Sequence, residues 1–280
     1  MIECSLSYSF LFLLFFSFLF LSISANFLFH FLLNFQRKNS GGYYKLKIRP
    51  GFRVICLNTN YCTRLNPWTL YDPVDPGKQL EWLSNELLAA EKDSDKVHII
   101  GHIPPDSREC TQAWLYNYLR IIDRFQDTVL ASYFGHTHRD EFRVLLSPHR
   151  KPKPISVAYI GPSITSFTQN NPGYRVYYTD EQGFVKDHET YFYNLTEANT
   201  SNYEPVWRRE YNAYNKYNLT NLGPFGWHRF VHEMIDDDNK FQSYFKSVNL
   251  LFSLLSFSIF LEVKSFHLLH LSFHLRCSSL

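Results

Sequence analysis

Val97-His98-Ile99-Ile100-Gly101-His102-Ile103-Pro104-Pro105 is the stretch that decides the fold. Val97 to Ile100 is a run of β-forming residues too short for a helix and stopped by glycine, which reads as a buried strand. After it comes a loop that opens on Gly101-His102 and is stiffened by two prolines. The same arrangement recurs downstream, where Val129 to Phe134 reads as a strand and Gly135-His136-Thr137-His138 follows it. Upstream, Phe52-Arg53-Val54-Ile55-Cys56-Leu57 is another β-rich run, ending at Asn58. The segments between these strands have helical periodicity. Asp75-Pro76-Gly77 makes a turn, after which Leu80, Leu83, Leu87 and Leu88 recur at helical spacing while Lys78, Glu81, Asn85 and Glu91 face away. Trp114 to Phe125 gathers Leu115, Tyr118, Leu119 and Ile122 on one side. Ile155 to Ile160 and Tyr174 to Tyr178 read as further strands, each bounded by proline or glycine. Strand, helix, strand, helix, strand in this order predicts an α/β sheet that takes its ligand at the strand ends.

Composition narrows the function classes. The chain of 280 residues is 45% hydrophobic and carries a net charge of +2, so it can bury a core but has no basic stripe to follow a phosphate backbone. Nucleic acid is therefore not an expected partner. Five cysteines are too few for a disulfide scaffold at this length.

Four segments follow from texture. Residues 1–41 are dominated by an apolar run from Phe10 to Phe35, long enough at about 1.5 Å per residue to cross a bilayer of roughly 30 Å. A signal peptide or anchor is one reading. It starts without a basic residue, and Arg37 and Lys38 come after it, so an extension foreign to the rest of the chain is the other. Residues 42–200 read as the α/β domain and 201–247 as a helical subdomain rich in Trp, Tyr and Arg. In the tail, 248–280, Leu250 to Leu261 is too short for a membrane span, and His267, His270 and His274 reflect composition.

Chemistry concentrates in the two glycine-led histidine blocks. Glycine lets the chain turn sharply out of a strand, and neutral imidazole nitrogens suit zinc and similar borderline metals. In an extended or turning loop His136 and His138 project the same way and offer two nitrogens together. A lone histidine at a strand end is usually a hydrogen-bonded residue of no catalytic role. Two such blocks on successive strands point to a metal, although no carboxylate partner is visible nearby in the sequence.

With Gly-His-x-Pro followed by Gly-His-x-His, the chain resembles the calcineurin-like metallophosphoesterases. "DKVHIIGHIPP", "FGHTHRDEF", "NPGYRVY" and "DHETYFYNLTEAN" narrow the resemblance to the acid sphingomyelinases, from about Gly51 to Phe245. The resemblance implies the C-terminal half of a metallophosphoesterase sheet sandwich followed by a helical subdomain. It also implies a two-zinc site where a bridging hydroxide attacks phosphorus, with sphingomyelin split into ceramide and phosphocholine. On matching positions His102 and His136 would ligate one zinc and His138 the other. Cys62 and Cys110 match a disulfide pair of the family, Cys56 reads as a buried free thiol, and Asn194, Asn199 and Asn218 are sequons.

The departures from the family are equally informative. Its Asp-x-His, Gly-Asp-x-x-Asp and Gly-Asn-His motifs, which supply the bridging aspartate and the proton donor, do not occur here. No catalytic residue is therefore assigned, and at most one weakly bound zinc is expected. Asp187-His188 lies in a family motif away from the metals and reads as structural. The saposin-like domain that presents lipid at a membrane surface in full-length relatives is also missing. The expected function is an acid sphingomyelinase-type phosphodiesterase, inactive as a partial chain, secreted or lysosomal and anchored if the apolar segment is an anchor. Two alternatives stay open: a related enzyme acting on nucleotide or other phosphodiesters, and a non-catalytic protein.

Overall fold

A computed structural model describes residues 41–149, 151, 153–167, 170–200 and 204–248. The apolar run and the tail lie outside them. Among the described residues no helix is long and apolar enough to cross a membrane.

The frame is a six-stranded mixed sheet. Strands β2 (Phe52–Cys56), β3 (Lys96–Ile100), β4 (Val129–Phe134) and β6 (Pro154–Ile160) run parallel to their neighbours in that order. Strand β1 (Tyr44–Arg49) adds antiparallel to β2 at one edge, and β5 (Glu141–Leu146) adds antiparallel to β6 at the other. A second, antiparallel sheet contains β7 (Gly173–Thr179), β8 (Val185–Phe192) and β9 (Arg208–Asn212). The α/β class is the one the sequence implies.

Helices α1 (Gln79–Lys92) and α2 (Gln112–Arg124) provide the apolar cover of one face of the large sheet. Leu80, Leu83, Leu87 and Ala90 of α1 and Trp114, Leu115, Tyr118 and Ile122 of α2 join Ile55, Val97 and Ile99 in one buried cluster. Leu88 is a correction to the expected stripe, since it is 39% exposed. Eight residues turn a helix by about 80° beyond two full turns, which carries Leu88 off the face centred on Leu83 and Leu87.

The other face packs quite differently. His98, alternating away from Val97 and Ile99, meets Phe52 and Tyr133 edge to face and donates from Nε2 to the Gly183 carbonyl at 2.7 Å. Burial holds its pKa down at about 4, so it is a neutral structural residue. Tyr177 of the second sheet packs on Tyr133 and Tyr159. Short helices α3 (Leu195–Thr200) and α4 (Ala213–Lys216) precede the longer α5 (Pro224–Asp236) and α6 (Asp238–Val248). Trp227, Phe230, Phe241 and Tyr244 of the last two helices complete the second cluster.

The segment from residue 201, read as a helical subdomain, holds strand β9 as well as its helices. Arg208-Arg209-Glu210-Tyr211-Asn212 buries only Tyr211 fully and leaves no apolar alternation to read. Its pairing with β8 and its partners fix it instead. Arg209 bonds Glu189, and Asn212 Nδ2 donates to the carboxylate of Asp187. Asp187 also accepts from the Tyr214 amide at 3.1 Å, consistent with a structural Asp187-His188 pair.

Candidate metal-binding and phosphodiester site

Both histidine loops leave the same edge of the sheet, because β3 and β4 are adjacent and parallel. Gly101 keeps the first exit uncrowded: a Cβ there would stand 3.0 Å from both Phe134 Cε1 and Thr59 Cγ2, and those side chains would have to give way. Thr59 Oγ1 accepts from the His102 amide at 3.2 Å and the Ile103 amide at 2.7 Å, which fixes the turn. The second loop is tied to the first where the Gly135 amide donates to the His102 carbonyl at 3.0 Å. His136 and His138 both adopt positive φ, 72° and 59°, a conformation strained for a side-chain-bearing residue and recurrent at functional sites.

These exits bring the rings of His102 and His136 together, centroids 5.2 Å apart and nearly perpendicular. His136 Nε2 donates to Glu109 Oε2 at 3.1 Å, which in the neutral ring makes Nδ1 the lone-pair nitrogen. Partial burial, with His136 and His138 adding to it, lowers the His102 pKa and favours the neutral ring that a metal needs. The Nδ1 of His138 is buried without a hydrogen-bond partner.

Neighbouring groups hold this arrangement in place. Cys62 and Cys110 form a disulfide whose ends are further joined by the Thr111 amide donating to the Cys62 carbonyl at 2.8 Å. Glu109 precedes Cys110 and is anchored through its carbonyl, which accepts from the Arg64 amide at 3.0 Å. Beyond His138, Asn170 Nδ2 donates to its carbonyl at 3.1 Å. Asp140, two residues on, is buried and ion-paired with Arg175, and it accepts from Thr190 Oγ1 at 2.7 Å and Tyr211 at 2.8 Å. The second sheet therefore clamps the end of the Gly-His-x-His loop. Cys56 is buried, its thiol pushed up to about 12, and takes no part in this chemistry.

Thr59, Glu109, Asp140 and Arg175 were not legible as site residues. Glu109 lies far from His136 in sequence, and Asp140 sits in a quoted motif without any pattern that marks its partner. The histidines offer nitrogen donors only, and among the described residues no three His, Cys, Asp or Glu side chains gather closely enough to enclose a metal ion. Among the described residues the loops place His102 and His136 side by side, with the Glu109 carboxylate on His136.

Residues 65–74 present an apolar loop whose base meets residues 109–111. Leu65, Trp68, Leu70 and Tyr71 are between 72% and 92% exposed, and Val74 is 49% exposed. Asn66 caps the short turn of helix within it, accepting from the Trp68 amide at 3.1 Å. The loop is rooted next to Glu109 by the Arg64 contact. Of the three sequons, Asn194, Asn199 and Asn218 are all exposed at their asparagines.

Residues 153–258 match the family described as acid sphingomyelin phosphodiesterase C-terminal region, and residues 4–140 match calcineurin-like phosphoesterase. Over 209 residues the chain is 47% identical to a sphingomyelin phosphodiesterase of Bos taurus, covering 73% of this chain and 33% of that protein. The sphingomyelin phosphodiesterase of Homo sapiens is 46% identical over the same shares of the two chains. A cyclic GMP-AMP phosphodiesterase SMPDL3A of Bos taurus is 32% identical over 223 residues, 74% of this chain and 49% of that protein. The chain thus spans about a third of the length of the sphingomyelin phosphodiesterases it matches.

Proposed function

Because this chain belongs to the acid sphingomyelinase-like branch of the calcineurin-like phosphoesterases, we propose that it contributes the C-terminal histidine ligands of a phosphodiesterase site. The observation that carries this reading is the convergence of two glycine-led histidine loops at the ends of adjacent parallel strands. His102 and His136 would ligate one divalent ion and His138 a second, each shell needing further ligands that the described residues do not gather, and zinc is among the ions that suit imidazole donors. Such an ion, when bound, polarises a phosphoryl oxygen and lowers the pKa of water. The chain's own part is to aim those nitrogens: Glu109 orients His136, Thr59 fixes the His102 turn, and Asp140 pins the strand-end loop.

The substrate proposed is sphingomyelin at a lipid surface, giving ceramide and phosphocholine. Supporting it is the loop at 65–74, whose exposed Trp, Tyr and Leu side chains are the types that settle into a membrane interface. The 32% identity to a cyclic GMP-AMP phosphodiesterase favours a nucleotide phosphodiester as the second reading. Secretion or lysosomal residence is supported by the disulfide and by the exposed sequon asparagines. Since the described residues supply only part of a ligand shell, we expect no turnover by this chain alone.

The test is zinc content together with hydrolysis of labelled sphingomyelin and of a nucleotide phosphodiester by the full chain, beside His102→Ala and His136→Ala variants. At most one zinc and no turnover supports an inactive partial site. Two zincs, with turnover lost in both variants, would overturn that reading and identify the substrate class.

A further inference from the structure

On helix α5, far along the chain from the strand-end histidines, His228 and His232 stand one turn apart on a single face. Their Nε2 atoms are 3.3 Å apart and their ring centroids 4.5 Å apart. A ring-to-ring hydrogen bond at that separation is at the loose end of the ordinary range. The distance has another meaning. Two nitrogens bound at the usual zinc distance of about 2.0–2.1 Å in a tetrahedral shell stand about 3.3–3.4 Å apart. The two imidazoles already occupy one edge of such a shell.

We propose that His228 and His232 form a two-histidine chelate for a borderline divalent transition ion such as zinc, nickel or copper, separate from the strand-end site. The helix supplies the preorganisation, since residues four apart share a face and Trp227, Phe230, Val231 and Met234 bury the opposite one. His232 is exposed and His228 half-buried, so an ion reaches the pair from solvent. The nearest acidic neighbour in sequence, Glu233, is engaged by Arg229 at 3.1 Å and Lys240 at 2.7 Å and does not compete for the site. Among the described residues no third side chain joins the pair, so water fills the remaining positions and the ion exchanges readily. Magnesium and calcium, which demand oxygen ligands, are excluded as occupants.

The experiment titrates nickel chloride, and magnesium chloride as control, into the full chain carrying His102→Ala and His136→Ala. Binding is read by calorimetry, with paramagnetic broadening of histidine ring proton signals as the second readout. One nickel per chain is expected, with broadening at both rings, no response to magnesium, and affinity lowered by on the order of tenfold or more when His228→Ala or His232→Ala is added. In the otherwise unaltered chain, His232→Ala should remove one nickel equivalent and leave circular dichroism and melting in the absence of metal as before. Nickel binding that is unchanged by His232→Ala in either background, or an equal response to magnesium, overturns the proposal.

Discussion

The two faces of the large sheet are built by opposite means. Toward α1 and α2 the interior is mainly aliphatic: Ile55, Leu83, Leu87, Val97, Ile99 and Ile122 are all fully buried, with the stacked Trp114 and Tyr118 among them. Toward the second sheet and α5 the interior is aromatic and polar. Tyr159 donates its hydroxyl to the Leu222 carbonyl at 2.7 Å and accepts from Trp227 Nε1 at 3.1 Å, while Arg175 and Asp140 are ion-paired out of water. The hydrocarbon face tolerates small rearrangements at a graded cost. The polar face depends on every partner being present, because a buried charge left alone is far more costly than a missing methyl group. Since the histidine loops leave the sheet between these faces, Thr59 steadies one on the helical side and Asp140 pins the other to the polar side.

The strongest way to break this contrast is to remove one member of the buried pair. Arg175→Met should cost about 3–5 kcal/mol in urea unfolding, and adding Asp140→Leu should recover part of that loss, because it removes the stranded charge. A double variant no more stable than the single one would mean that Asp140 acts mainly through Thr190 and Tyr211. On the hydrocarbon face Leu83→Ala is expected to cost about 2–5 kcal/mol, whereas Leu88→Ala, five residues along the same helix, should stay within about 0.5 kcal/mol. Equal costs at the two leucines would contradict the packing described for α1.

Titration separates the faces again. Glu210 lies in the polar region 3.7 Å from Lys216, and burial, reinforced by the nearby Asp140, pushes its pKa up to about 7. A raised acid keeps its proton in the folded state while the unfolded chain ionises. Its stabilising effect is therefore complete below the ordinary glutamate range and is lost as pH rises toward about 7. Over that window Glu210 contributes a loss of about 3 kcal/mol, so Glu210→Gln should flatten the fall in stability between pH 4.5 and 7. An unchanged slope in urea melts across this range would show that Glu210 ionises normally. The smallest effect on stability is expected outside both faces. Trp68→Ser with Leu70→Ser should leave melting within about 0.5 kcal/mol of the parent while abolishing flotation with sphingomyelin vesicles. Retained flotation would remove the loop from the lipid-facing role proposed for it.

Legibility followed the same division. Strands β2, β3, β4, β6 and β7 and helices α1 and α2 were readable because each packs an apolar face or run whose period survives in sequence. Strands β8 and β9 were not. Val185-Lys186-Asp187-His188-Glu189-Thr190-Tyr191-Phe192 buries His188, Glu189 and Thr190, and polar residues at buried positions erase the alternation on which a strand reading depends. Strand β1 was missed for the reverse reason, as an edge whose side chains are largely exposed. Among the site residues the histidines announced themselves by their glycines and spacing. Glu109, Thr59 and Asp140 carried no such mark, because a single carboxylate or hydroxyl gains its role only from what folding sets beside it.

By itself, then, the sequence determined the α/β alternation, the helical face of the core and the two histidine loops at strand ends, because those features are written in local period and in glycine placement. The tertiary structure alone decided that Glu109 meets His136, that Asp140 anchors the second loop to Arg175, and that His228 and His232 hold their nitrogens a metal shell's edge apart. The first kind of information depends on near neighbours in the chain. The second depends on distances that exist only after the chain has closed on itself.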